Sequence, residues 1–233
     1  MSLHWQTSDG TVVATYVPYS HMSDDDARLF YTTMNSLLVY ANQRMGVVDP
    51  RALVEREGAP CMLYEHGGQV ADTLWRNRGL VDDFVRDNPM RLGDAHLACA
   101  RPWRRAVRDA FTIVAADADS IVCMNQDHLF VVGAMQDPAD AHVSAIPSLD
   151  LLTLLPFKGG IVTSGMTIHL SCEPAPWAVP LIAGQARELS RRTVISGADQ
   201  LEAYGGLIPD GENRVSPRFQ AEVDRAFAEG ALL

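Results

Sequence analysis

Three β-prone runs lie close together in the middle of the chain: Phe111–Ala116, Ser120–Met124 and His128–Ala134. They are joined by Asp117-Ala118-Asp119 and Asn125-Gln126-Asp127. Links this short and polar are what hairpins require, so the runs are expected to form a three-stranded antiparallel meander. Everything else must be arranged around that sheet.

The stretch before it is helical in character. Ser23 is a good N-cap, Asp24, Asp25 and Asp26 suit the positive end of a helix dipole, and Gly46 marks the stop. Between them Phe30, Met34, Leu37, Leu38, Ala41 and Met45 repeat at helical spacing as one buried stripe. Asp49-Pro50 predicts a short helix ending at Gly58. Val70 and Leu74, with Trp75, predict another between Gly67 and Gly79, and Leu80–Asp87 a third. A helix also fits Asp94–Ala110, with Pro102 breaking or kinking it.

After the meander, Leu149–Pro156 is apolar and reads equally as strand or helix. Ile161–Ser164 and Met166–Leu170 read as strands bent around Gly165, and Thr11–Val17 as a short strand near the start. Trp177–Arg192 is helical in character. Residues 205–214 read as a polar Gly-rich linker, and Ser216-Pro217 opens a last helix through Ala228 carrying Phe219, Val223 and Phe227. The expected fold is α+β: N-terminal helices, a central antiparallel β-meander and C-terminal helices. The expected organisation is one α+β domain over 1–204, with a helical part at 20–110, a sheet part at 111–172 and a helix at 177–192. Residues 205–233 follow as linker and terminal helix.

Composition narrows the function. The formal charge is -10 over 233 residues, which disfavours general nucleic-acid binding and docking on an anionic membrane. No apolar run is long enough to span a bilayer, and Met1–Gly10 lacks the basic and apolar regions of a signal peptide. A cytoplasmic protein is expected. Cys61, Cys99, Cys123 and Cys172 form no CxxC or CxH pair, so no zinc site is predicted and the thiols read as reduced. No dinucleotide fingerprint, P-loop, H-E-x-x-H or EF-hand loop occurs, and no cofactor is expected.

One lysine stands against 18 arginines. The arginine preference reads as coding bias, but Lys158 lies in a distinctive run, Leu154-Leu155-Pro156-Phe157-Lys158-Gly159-Gly160-Ile161-Val162-Thr163-Ser164-Gly165. This run resembles an uncharacterised bacterial family with a leucine-leucine-proline-phenylalanine-lysine-glycine motif, and the resemblance extends from about Phe30 to Ser196. Some members of that family carry a C-terminal SEC-C zinc-binding motif. The strand after the lysine usually ends tyrosine-aspartate-glycine there; here it ends Thr163-Ser164-Gly165. The SEC-C cysteine cluster is also missing, so its adaptor role is not implied. The resemblance implies no assigned activity, and no functional residue is carried over from it.

Four groups of residues are candidates for a site. Lys158, in a tight turn, would present an ammonium to an anion, or stand as a solvated turn lysine. A nuclease core would need an acid where Pro156 stands. Arg101, Arg104, Arg105 and Arg108, spaced i, i+3, i+4, i+7, would share a helical face able to bind phosphate or an acidic partner, or be a solvated face paired with carboxylates. Asp117, Asp119 and Asp127 would do acid–base work or simply make turns. His66, beside Gly67-Gly68, would be a general base, although no nucleophile motif lies near it.

The leading expectation is therefore a cytosolic non-catalytic accessory or interaction protein with an unknown protein partner. The alternative is an enzyme or small anionic-ligand binder that gathers Lys158 with the meander-turn carboxylates. A third reading is local anion binding by the arginine row.

Overall fold

The structure is a computed structural model that describes residues 2–6, 12–16, 21–56, 59–62, 64–143, 145–169, 174–192 and 194–228. Strands β1 (Ser2–Gln6) and β2 (Val12–Tyr16) pair antiparallel as a hairpin of their own. Helix α1 (Asp24–Met45) follows the local signals closely. The Ser23 side chain accepts the Asp26 N–H, and Gly46, at φ 63°, returns its N–H to the Asn42 carbonyl. The expected stripe from Phe30 to Ala41 is buried, and Met45 packs at its edge.

The helix expected from Asp49 to Gly58 is not formed. Asp49 caps one 3₁₀ turn, Pro50–Ala52, and the chain leaves as β3 (Leu53–Arg56), paired with β4 (Ala59–Met62). A helix of two turns leaves most of its terminal N–H and C=O groups unpaired, whereas hairpin pairing satisfies them. Gly58 lies outside the described residues. Helices α2 (Tyr64–Arg76), α3 (Gly79–Asp87) and α4 (Asp94–Ala100) complete the helical part. Gly67 and Gly68 sit inside α2 and do not precede it. Their bare faces let Met166 and Phe227 approach, at 3.0 and 3.1 Å from where a Cβ would stand.

Pro102 decides the next segment. Helix α4 stops at Ala100, a 3₁₀ turn spans Arg101–Arg105, and strand β5 (Val107–Ala116) has already begun at residue 107. The helix does not continue to Ala110. The meander then forms as expected with β6 (Ser120–Met124) and β7 (Leu129–Gly133). The ambiguous apolar run is a strand, β8 (Ser148–Phe157), pairing with the other edge of β5 from Val107↔Leu154 to Ile113↔Ser148. Both faces of β8 are covered, so its sequence carries no alternation to distinguish it from a helix. Strands β9 (Gly160–Thr163) and β10 (Ile168–His169) share the outer edge of β8.

Helix α5 (Val179–Ser190) covers β6 and β7 through Ile182, Ala186 and Leu189. Strand β11 (Val194–Ile195) runs parallel to β7. Helix α6 (Ala198–Gly206) comes next. No helix was expected there. Its start is fixed by the Gln200 side chain, which accepts the N–H groups of Ser196 and Gly197 at 2.9 and 3.1 Å. Helix α7 (Pro217–Ala228) lays Val223, Phe219 and Phe227 against Leu151 and Ile168.

The central sheet has seven strands in the order β10-β8-β5-β6-β7-β11, with β9 beside β8. It curls until β7 lies alongside β9. Val107, Phe111, Ile113, Phe130, Leu152, Leu154 and Ile161 fill the concave side. On the convex side Leu155, Phe157 and Val162 join the helical core, where the Phe30 ring lies 5.2 Å from Trp103 and 5.4 Å from Phe157. The fold is α+β, with helices on either side of the central strands. Among the described residues no helix is long and apolar enough to cross a membrane.

The expected linker at 205–214 begins inside α6 and is held to the body. Arg78, 4% exposed, donates to the carbonyls of Ala106 and Ile208 at 2.8 Å, and to those of Pro209 and Gly205 at 3.2 and 3.3 Å. A single guanidinium thereby ties α3, the start of β5 and the segment after α6 together.

Candidate functional site

Strands β8 and β9 are joined by two residues, Lys158 and Gly159, flanked by the pair Phe157↔Gly160. Both turn residues have positive φ, 46° and 84°. A two-residue hairpin of this twist requires that conformation, which glycine adopts freely and lysine only at a cost of about 1 kcal/mol. The turn is braced from α6, whose Ala198 N–H donates to the Gly159 carbonyl at 3.0 Å. The packing of Phe157 on Phe30 brings the turn over the start of α1, where Lys158 Nζ forms an ion pair with Asp26. Lys158 is half exposed, while Asp26 is only 15% exposed.

Beside this pair lies a cleft of about 350 Å³. Leu29 of α1, Ala95 and Ala98 of α4, Pro102 and Phe157 make it largely apolar. Asp199 and Glu202, from the first turns of α6, line it too. Among the described residues neither of these carboxylates has an ion-pair partner. Partial burial and the neighbouring Asp199 push the Glu202 carboxyl above its ordinary range, and Arg105 opposes this.

Cys99 also lines the cleft. Burial pushes its thiol up to about 12, outweighing the hydrogen bond to Thr33 and the charge of Lys158. Thr33 Oγ1 donates to the Leu29 carbonyl at 2.7 Å, so its contact with His96 Nδ1 at 2.8 Å needs the proton on the histidine nitrogen. The nucleophile that a thiolate would supply is therefore missing. At pH 8 Cys99 should react with iodoacetamide about a thousandfold more slowly than an unperturbed cysteine, in line with its smaller thiolate fraction. Peptide mapping by mass spectrometry after timed labelling measures this; alkylation at the free-thiol rate would contradict the burial argument.

The other candidates are dispersed. Because the chain turns at Pro102, Arg101, Arg104, Arg105 and Arg108 share no helical face, and the expected arginine row does not exist. Arg104 pairs with Asp82 at 2.9 Å and Asp210 at 3.4 Å. Arg105 lies against Gly206, Arg101 is exposed on the 3₁₀ turn, and Arg108 is buried in an ion pair with Asp72.

The gathering of Lys158 with Asp117 and Asp119 is corrected too. Strands β5 and β8 run antiparallel, so the turn with Asp117 and Asp119 follows the end of β5 that faces the start of β8. Lys158 follows the other end of β8, roughly 30 Å away along the strand. Asp117 accepts the N–H groups of Asp119 and Ser120 at 3.0 and 2.9 Å, which is turn chemistry. Asp127 lies 3.3 Å from Arg214. His66 sits in the first turn of α2.

Besides Asp72, two further buried carboxylates among the described residues were not foreseen. Asp109 accepts from Asn125 at 3.2 Å and Arg214 at 3.1 Å, fastening the segment after α6 to the sheet. Burial raises its carboxyl above the ordinary range against the pull of Arg214. Asp150 accepts from Ser148 Oγ at 2.7 Å and lies 2.8 Å from His169 Nδ1. Serine and histidine are each bonded to the aspartate and not to one another, so the arrangement lacks a nucleophile–base contact. Cys172 lies outside the described residues. Among the described residues no group of three or more His, Cys, Asp or Glu side chains is placed to hold a metal ion.

Comparison with models of protein families, with curated proteins and with solved structures finds no match for this chain.

Proposed function

We propose that the chain is a non-catalytic interaction protein, and that the cleft beside Lys158 receives an apolar side chain accompanied by a cation. One observation carries this reading. The only lysine at the cleft is already neutralised by Asp26, while Asp199 and Glu202 stand beside an apolar wall with no ion-pair contact among the described residues. An arriving anion would meet a spent lysine and two like charges. An arriving ammonium or guanidinium gains charge-assisted hydrogen bonds to both carboxylates. The high thiol pKa of Cys99 supports the non-catalytic half of the proposal. We place the protein in the cytosol because Cys61, Cys99 and Cys123 are all free thiols.

Phenethylamine and 3-phenylpropionate present the same ring with opposite charge, and so test the sign. At 10 mM, a fragment with a Kd of about 1 mM stabilises by about 1.4 kcal/mol. For a chain of this size that raises Tm by about 3–5 °C. The amine should give such a shift, the carboxylate almost none, and the double variant Asp199→Asn/Glu202→Gln should lose it. A larger shift with the carboxylate, or equal shifts, would overturn the proposal.

A further inference from the structure

Helix α5 packs one side on β6 and β7 through Ile182, Ala186 and Leu189, which accounts for its buried face. That packing leaves Trp177 and Leu181 unexplained. Trp177 stands in the turn two residues before the helix and Leu181 in its first turn, 74% and 66% exposed. The exposed stripe continues at helical spacing through Gln185 and Glu188, and Arg191 and Arg192 stand exposed just past the helix end, Arg192 in a solvent-exposed pair with Glu188 at 3.1 Å. Three of the chain's 19 basic residues, Arg187, Arg191 and Arg192, fall within six residues at the end of this helix. An exposed tryptophan beside an exposed leucine is the composition of an interface anchor, and arginine is the cation most enriched there.

The Lys158 cleft is the complement of this stripe. It is apolar and carries Asp199 and Glu202. Exposed Asp24, Asp25 and Asp94 stand in the first turns of α1 and α4, whose Leu29 and Ala95 form its wall. With Asp26, the elements around the cleft hold six carboxylates against Lys158, Arg28, Arg101, Arg104 and Arg105, and Arg104 is engaged by Asp82 and Asp210 outside the cleft. Leu181 and Arg192 are about 16 Å apart along a helix. A helix with Trp177 and Leu181 in the cleft is long enough to carry the arginines past its edge, where exposed carboxylates stand.

We infer that the segment received by the cleft is the start of α5 from a second copy of this chain. Trp177 and Leu181 would occupy the apolar part and Arg191 and Arg192 would face the acidic surroundings. This rests on the reading of the cleft proposed above. The two surfaces lie on different elements, so the contact is heterologous: each copy offers an anchor to one neighbour and a cleft to another.

Light scattering coupled to size exclusion, at rising concentration, should show the wild-type mass at least doubling from 25.5 kDa. Trp177→Ala removes the anchor and keeps the cleft. Ala98→Trp fills the cleft from an exposed helical position and keeps the anchor. Each variant should be monomeric alone, and their equimolar mixture should form a particle of two chains and no larger. Glu202→Arg, an exposed-side charge reversal, repeats the cleft arm if Ala98→Trp fails to fold. A wild type that stays monomeric at every concentration overturns the inference. So does a wild type that self-associates while the two variants fail to complement. Phenethylamine titrated into Trp177→Ala separates the two readings. A thermal shift there with a monomeric wild type keeps the cleft proposal and removes the second copy; no shift removes both.

Discussion

Gly205→Ala should destabilise the chain by about 2–3 kcal/mol, although alanine is the better helix former. Gly205 lies in the last turn of α6, where that turn crosses the segment leading into β5. A Cβ at this position would stand 2.0 Å from the Arg105 carbonyl oxygen, 2.9 Å from its carbon and 3.3 Å from its Cα. All three are backbone atoms, so no rotamer change relieves the clash. Helix propensity alone favours alanine over glycine by about 0.8–1.0 kcal/mol. Overpacking typically costs about 1–3 kcal/mol. Here separating the two backbones also disturbs the Arg78 bonds to the Ala106 and Gly205 carbonyls. The two terms have opposite signs, so the direction of the change identifies the winner. Urea titration should show a lower midpoint with an unchanged slope, and Tm should fall by about 8 °C. Gly206→Ala is the control. Its Cβ would meet only the mobile Arg105 guanidinium, at 3.4 Å, and it should be close to neutral. A Gly205→Ala variant as stable as the wild type would show that separating the two backbones costs no more than the helix propensity gained.

The same glycine shows where reading the sequence succeeds and where it stops. Helix α1 was legible because its signals are local: Ser23, three aspartates, a stripe of apolar residues and Gly46 lie within one continuous stretch. The meander was legible because its links are too short for anything else. Gly205-Gly206 misled because glycine marks both loose chain and close approach, and only the position of Arg105, about a hundred residues earlier, decides between them. The arginine row failed for a related reason: a periodicity argument holds only while one element continues, and Pro102 ends it. At the site, Lys158 was conspicuous by its identity. Its partner Asp26 is 132 residues away and already had a sufficient local role at a helix start. Asp199 and Glu202 belong to a helix that was not foreseen, although Gln200, three residues after Gly197, was a usable start signal. The rest of what was missed came from long-range register, which no local pattern encodes.

Asp72→Ala should cost about 4 kcal/mol and Arg108→Ala somewhat less, about 3 kcal/mol. Arg108 pairs with Asp72 on the convex side of β5, with side chains only 5% and 4% exposed. The guanidinium also donates to Asn213 at 2.9 Å and Gln220 at 2.7 Å, joining α2, β5 and α7. Burial lowers the affinity of Arg108 for its proton, and Asp72 opposes this only in part. The expected asymmetry follows from what each partner keeps when the other is removed. Asp72 retains Arg76 at 2.7 Å, whose side chain reaches solvent. Arg108 retains only the neutral amides of Asn213 and Gln220 as direct partners, so its charge would remain buried without a carboxylate in contact. Removing both members leaves no buried uncompensated charge, because the Arg76 side chain that loses Asp72 reaches solvent. The double variant Asp72→Ala/Arg108→Ala should therefore lose about 2 kcal/mol less than the sum of the single losses. Urea midpoints for the four proteins close the cycle. Strictly additive losses, or a larger loss for Arg108→Ala than for Asp72→Ala, would mean that packing of the arginine stem, and not the paired charge, is what this residue contributes.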